Sequence, residues 1–182
     1  NACPDKPVHL LIIQDEDGSV KSIVAGASVA GAMAGDASHL SRVPVEAAEL
    51  ILGTECGGSD ACSGISANPA LGVASDRLID AGGSVILAET TELIGAEHLI
   101  AARAVNPKVS ARCYEVIRTC ENAAISMGVD MRGGQPTPGN IEGGLSTIEE
   151  KSLGCIYKAG TKPLQEVIDY AMPVRKKGLV WM

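Results

Sequence analysis

The apolar positions of this chain fall into two kinds of run. VHLLIIQ (8–14), ELILGT (49–54) and SVILAE (84–89) are nearly continuous, which is how strands buried on both faces of a parallel sheet read. Longer stretches between and after them place apolar residues at helical spacing. From Val20 to about Arg42 the residues in step are Ile23, Val24, Ala27, Ala30 and Met33. A second helix is predicted over 70–83, with Asn68 as its N-cap, Pro69 at the first helical position and Gly82 and Gly83 ending it. TELIGAEHLIAARA (91–104) predicts a third, and Asn106 with Pro107 opens a fourth that runs to about Met127. Residues 128–144 hold six glycines and two prolines without an apolar period, and predict a long loop. Loops longer than about 12–15 residues in a compact domain are mostly functional or unstructured. Ser146 or Thr147 then starts a helix as a capping box with Glu149 or Glu150. KPLQEVIDYAM predicts a further short helix, and GLVWM a last strand.

Strand and helix signals that alternate in this way predict an α/β fold, an open and mostly parallel sheet with flanking helices, over 1–182 as one domain or domain fragment with a possible sub-boundary in 128–144. Right-handed crossovers would bring the carboxyl ends of the strands to one edge, where ligands bind in open α/β sheets. The residues that leave that edge are then Gln14, Asp15 and Glu16 after the first strand, Glu55 to Asp60 after the second, and Glu89, Thr90 and Glu92 after the third.

Composition narrows the classes. The 182 residues are 46% hydrophobic and 20% charged, an ordinary globular balance, but only 2% aromatic with no phenylalanine. A stacking platform for single-stranded nucleic acid is not expected. The net charge of −7, with no basic run longer than Arg175–Lys177, likewise argues against nucleic-acid partners. The longest uncharged stretch, 22–35, contains three glycines and is shorter than the roughly 20 apolar residues of a membrane span. No signal peptide is visible. Six cysteines without a CxxC pair point to a reducing cytoplasm instead of a disulfide framework. Neither GxGxxG nor GxxxxGK[ST] follows any predicted strand, which weakens a nucleotide-binding reading.

The candidate chemistry gathers in TECGGSDACSGISANP (54–69), far longer than a usual βα loop. Gly57, Gly58 and Ser59 suit an anion-binding nest, or equally a structural turn with capping hydroxyls. Cys56 beside Glu55 is a soft metal ligand, an activated thiol or a small buried hydrophobe. Asp60 and Glu89 offer carboxylates to hydroxyls or to metal. Ser63, Asn68 and Asn140 offer polar groups to a substrate, Asn140 a few residues before a capped helix start. His98, next to Glu97, could exchange protons, although a lone helical histidine is more often a surface residue. Lys151 stands early in a helix, against the local dipole preference, and pairing with neighbouring glutamates explains it as well as function does. Cys113 and Cys120, seven apart on one helix, read as core.

ECGGSD (55–60), SGISANPALG (63–72), ETTELIGAEH (89–98) and above all PTPGNIEGGLSTIEEKSLG (136–154) resemble the altronate and galactarate dehydratase family of sugar-acid lyases. Sulfolactate sulfo-lyase large subunits are similar. Cys62 and Ser66 depart from the family by standing where threonines are expected. The resemblance implies elimination of water from a hexonic or hexaric acid to a 2-keto-3-deoxy acid, with a divalent metal, Fe2+ or alternatively Mn2+. It implies Glu55 and Cys56 as metal ligands, and Glu55, Cys56, Asp60, His98 and Lys151 as the catalytic set. Substrate contacts are expected from Gly57, Gly58, Ser59, Ser63, Asn68, Glu89 and Asn140. Family chains are longer, so the chain is expected to be a middle-to-C-terminal fragment, inactive alone, that works with the rest of its own chain or a small subunit, as a possible homo-oligomer. A sulfolactate-type C–S lyase and a non-catalytic small-anion-binding module are the alternatives.

Overall fold

The structure is a computed structural model that describes residues 6–182, so Cys3 lies outside the described residues. The chain divides into two compact units, Asn1–Pro44 and Val45–Met182. In the first, residues 13–17 form turns that lead through Gly18, at φ 109°, into helix α1 (Ser19–Ser38). This helix ends short of the predicted Arg42. The predicted strand at 8–14 does not form. Val8, Leu10, Ile12 and Ile13 are 68, 82, 45 and 53% exposed, and Gln14, Asp15 and Glu16 lie in a turn, at no strand end. A strand exists only as one side of a ladder, and among the described residues of this unit the run has no strand to pair with.

The second unit is built on four strands, β1 (Ile51–Thr54), β2 (Ser84–Leu87), β3 (Leu164–Val167) and β4 (Gly178–Trp181), in the order β1-β2-β4-β3. Every neighbouring pair is parallel. Thr54, Leu87 and Trp181 stand in register, so Glu55 and Glu89 leave the same edge of the sheet, as predicted. The α/β expectation holds with β1, β2 and β4 where the continuous apolar runs place them. Between the strands come α2 (Ala67–Asp80), α3 (Glu97–Ala101), α4 (Pro107–Ser126), α5 (Met131–Gly134), α6 (Pro138–Glu142) and α7 (Ile148–Cys155), the last continued by a 3-10 turn at Ile156–Ala159. Val85, Leu87, Leu179, Trp181, Ile100 and Ile117 form the centre of the core, each worth roughly 1.5–3 kcal/mol on burial. Cys113 and Cys155 are buried with them.

Four expectations change in detail. The helix predicted over 162–172 does not form; Leu164–Val167 is strand β3, preceded directly by Pro163. Pairing with the open side of β4 satisfies its backbone instead. The helix predicted over 91–104 shrinks to α3, since Gly95 at φ 98° breaks the turn before it. Asn68 is not the cap of α2. Ser66 holds the cap position, and Asn68 is buried in the first turn with its amide donating to Gly154 O at 2.9 Å. The 128–144 stretch contains α5 and α6 and so is not uniformly loop.

Two glycines bring α2 and α7 together. A side chain at Gly72 would meet the Tyr157 carbonyl oxygen at 2.1 Å, and one at Gly64 would meet the Gly154 backbone at 3.0 Å. Ser75 adds a hydrogen bond to Lys158 O at 2.8 Å. The β1–α2 loop is thereby held against α7 at the carboxyl edge of the sheet.

Candidate functional site

The loop that leaves β1 is organised by Asp60. Its Oδ1 accepts from the backbone N–H groups of Cys62 (2.9 Å) and Ser63 (2.7 Å) and from the Ser63 hydroxyl (2.9 Å), an Asx-type turn. The Ser63 bonds, the hydroxyl first, hold this carboxyl below its ordinary range, so it is ionised at neutral pH. Before it, the Cys56 thiol and the Ser59 hydroxyl are 3.0 Å apart. Gly57 and Gly58 are exposed, and neither is in the left-handed region. The alternating backbone of an anion nest is therefore not built there.

Asn140 connects three segments. In the capping box of α6 its Oδ1 accepts from Thr137 N at 3.2 Å and from Thr137 Oγ1 at 2.9 Å. Its Nδ2 donates to Ser59 O at 2.9 Å, and Ala61 N donates to Gly143 O at 3.0 Å beside it. The α6 segment is thus sewn to the β1–α2 loop. The third partner is Lys151, whose Nζ donates to Gln135 Oε1 at 2.9 Å and to Asn140 Oδ1 at 3.3 Å. Lys151 is 6% exposed, and among the described residues it has no carboxylate partner. The predicted cap of α7 is present: Thr147 accepts from Glu150 N, and the Glu150 carboxylate turns back to Ser146 N (2.8 Å) and Oγ (2.6 Å).

These elements enclose a cleft of about 180 Å³ lined by Ser59, Asp60, Ser63, Asn68, Glu150 and Lys151 among others. Asn140 stands behind Lys151. Other predicted residues lie elsewhere. Glu55, Cys56, Gly57 and Gly58 do not line the cleft, and His98 is exposed on α3, outside it. Glu89 is at the predicted edge but fully enclosed, with Oε1 against Lys158 Nζ and Oε2 without a partner. Burial pushes its carboxyl up to about 6, against the opposing pull of Lys158. Burial, then the Glu89 charge, push the adjacent Cys155 thiol up to about 12. Lys158 and Cys155 were not anticipated, although their signal was present: Lys151, Cys155 and Lys158 follow i, i+4, i+7 spacing, a polar stripe where a core stripe is expected.

Among the described residues no group of three or more histidine, cysteine or acidic side chains is placed to hold a metal ion. Glu55 and Cys56 alone do not make an iron site.

In this parallel α/β unit the cleft, lined by one lysine and two carboxylates among apolar residues, lies beside the loop that leaves the carboxyl end of β1, the edge at which open α/β folds bind ligands. The sequence model of D-galactarate/altronate dehydratase, C-terminal, matches residues 47–182, and the chain belongs to that family. It is 43% identical over 140 residues to galactarate dehydratase (L-threo-forming) of Escherichia coli, covering 77% of this chain and 27% of that protein. It is 43% identical over 138 residues to altronate dehydratase of Bacillus subtilis, covering 76% of this chain and 28% of that protein. The beta subunit of (2R)-sulfolactate sulfo-lyase of Chromohalobacter salexigens is 40% identical over 180 residues, 97% of this chain and 46% of that subunit. The chain thus spans about a quarter to just under half of the length of these relatives.

Proposed function

We propose that this chain carries part of the active site of a hydro-lyase that removes water from a hexonic or hexaric acid to give a 2-keto-3-deoxy acid. The observation that supports it is the cleft between the β1–α2 loop and α7, in which a buried lysine and an ionised carboxylate line one small volume. Elimination needs a base for the proton alpha to the carboxylate, an acid for the departing hydroxyl and charge stabilisation for the enediolate between them. Asp60, Glu150 and Lys151 are the charged residues that this chain contributes to the lining of the cleft. Cys56, Ser59 and Asn140 support the loop walls, and Glu89 with Lys158 forms the floor of the sheet edge.

A divalent metal, iron or manganese, would supply Lewis acidity to the same reaction. Glu55 and Cys56 are the ligands offered here, and further ligands would come from segments beyond those described. The working enzyme is proposed to be cytoplasmic, consistent with cysteines that form no disulfide among the described residues, and to act with additional polypeptide or a small subunit. Among the described residues no helix is long and apolar enough to cross a membrane.

The second reading is a C–S lyase acting on sulfolactate, favoured by the match to the sulfo-lyase beta subunit along nearly the whole chain. Incubating the enzyme that contains this chain together with its remaining polypeptide with galactarate, altronate or (2R)-sulfolactate under ferrous iron separates the two. Keto-acid formation from a sugar acid supports dehydration, and sulfite release from sulfolactate supports the second reading. Neither product from any substrate contradicts both.

A further inference from the structure

We infer that the apolar run at 8–13 and helix α1 are interior elements of an α/β layer, and that the surface they expose is filled by parallel strands and a helix of the enzyme's remaining polypeptide. This goes beyond the reaction proposed above and does not depend on it.

Three observations carry it. The run exposes apolar side chains at consecutive positions, with Leu10, Leu11 and Ile12 at 82, 37 and 45%. Successive side chains of an extended chain point to opposite faces, so both faces are apolar, as in a parallel strand packed between two layers. Its edges are open too: no N–H of residues 8–12 and no C=O of residues 8–11 makes a backbone hydrogen bond among the described residues. The second observation is α1 itself. Residues 22–35 carry no charge on any face and only two serines as polar side chains, yet no residue of α1 is buried. A helix that is apolar all round belongs in an interior. The run and the helix already approach one another, since a Cβ at Gly26 would stand 3.5 Å from Leu11 Cδ1.

The third observation identifies the occupant. The first unit ends at Pro44 and the match to the C-terminal family model begins at residue 47, so these elements lie outside the matched part. The match to the sulfo-lyase beta subunit covers 97% of this chain, and so extends into the first unit, but takes up only 46% of that subunit. The polypeptide left over is ample for the missing strands and helix. A second copy of this chain is a poorer occupant, because it offers the run one neighbour and leaves its other edge open. A bilayer is poorer still, since the uncharged stretch is shorter than the roughly 20 residues of a span.

Hydrogen exchange tests the proposal on this chain alone and on the intact enzyme. Amides of 9–13 and 22–35 are expected to exchange on the order of a hundredfold more slowly in the intact enzyme, while Ser84–Leu87 of β2 exchange alike in both. Leu10→Lys gives a second readout. It should leave the melting temperature of the chain alone within about 1 °C and lower that of the intact enzyme by about 5 °C or more. If the intact variant fails to fold, exchange in the wild type still decides. Equal exchange of 9–13 in the two preparations, or an intact Leu10→Lys enzyme as stable as the wild type, overturns the proposal. Protection of 9–13 in the chain alone that rises with concentration, together with a dimer in sedimentation, gives the surface to a second copy and overturns it as well.

Discussion

Lys151 and Lys158 stand on one buried stripe about two turns apart, yet their surroundings are built differently. Lys158 is closed against Glu89, and neither side chain reaches solvent appreciably. Lys151 is equally buried but has only the amide oxygens of Gln135 and Asn140, while the acids that line the same cleft, Asp60 and Glu150, are occupied by their own turns. A closed pair of this kind holds structure in place, since each charge has its compensation within the fold. Lys151, in the lining of the cleft, has no such carboxylate among the described residues.

The largest effect that distinguishes the two lysines is on stability. Lys158→Met leaves Glu89 as an uncompensated buried charge, and at neutral pH it is expected to cost about 3–5 kcal/mol in urea unfolding. Lys151→Met removes no ion pair. Asn140 keeps its Thr137 bonds and half-buried Gln135 can turn to water, so its cost is expected below about 1 kcal/mol. Equal losses for the two variants would erase the distinction.

Turnover provides the next comparison. In the intact parent protein, Asp60→Ala and Cys56→Ala are each expected to lower kcat/KM for the sugar acid at least tenfold, about 1.4 kcal/mol of transition-state stabilisation. Asp60 acts at the cleft directly and Cys56 through Ser59, so Asp60→Ala should be the more damaging. Wild-type kinetics for both variants would return the loop to a purely structural role.

The smallest effect is the pH dependence of the closed pair. Glu89 is pushed from 4.5 up to about 6 in the folded chain. Between these values the folded state binds the proton more firmly than the unfolded state. Its contribution is therefore fully present below about pH 4.5 and is lost as pH rises through about 6. The stability of the wild type minus that of Glu89→Gln should fall by on the order of 1–2 kcal/mol across this window. The groups that face Glu89 are Lys158, Cys155 and Glu92, and all three are present in both proteins, so the difference between them reports on Glu89. A flat difference would show that burial does not control this carboxyl.

The parts of the structure that were legible in the sequence are those with local causes. Asn106 caps α4 through a 3.0 Å bond to Val109 N, and Thr147 caps α7, both readable from residue spacing. The runs at β1, β2 and β4 became strands because each has a parallel neighbour to complete its ladder. VHLLIIQ has the same apolar pattern and no such neighbour among the described residues of its unit, and LQEV (164–167) has a weaker one yet pairs with β4. Pairing is a tertiary fact that periodicity does not contain. In the site, Ser59, Asp60 and Ser63 were found together because one loop carries them. Asn140 and Lys151 meet that loop only because Gly64, Gly72 and Gly154 let backbones approach closely. Asn68 looked like a cap, and it is drawn inward by the Gly154 carbonyl that this approach brings near.

The most direct test of the account is a crystal structure of the protein with galactarate. The account predicts galactarate in the cleft between the β1–α2 loop and α7, and the Glu89–Lys158 pair unchanged. Galactarate bound elsewhere would contradict it.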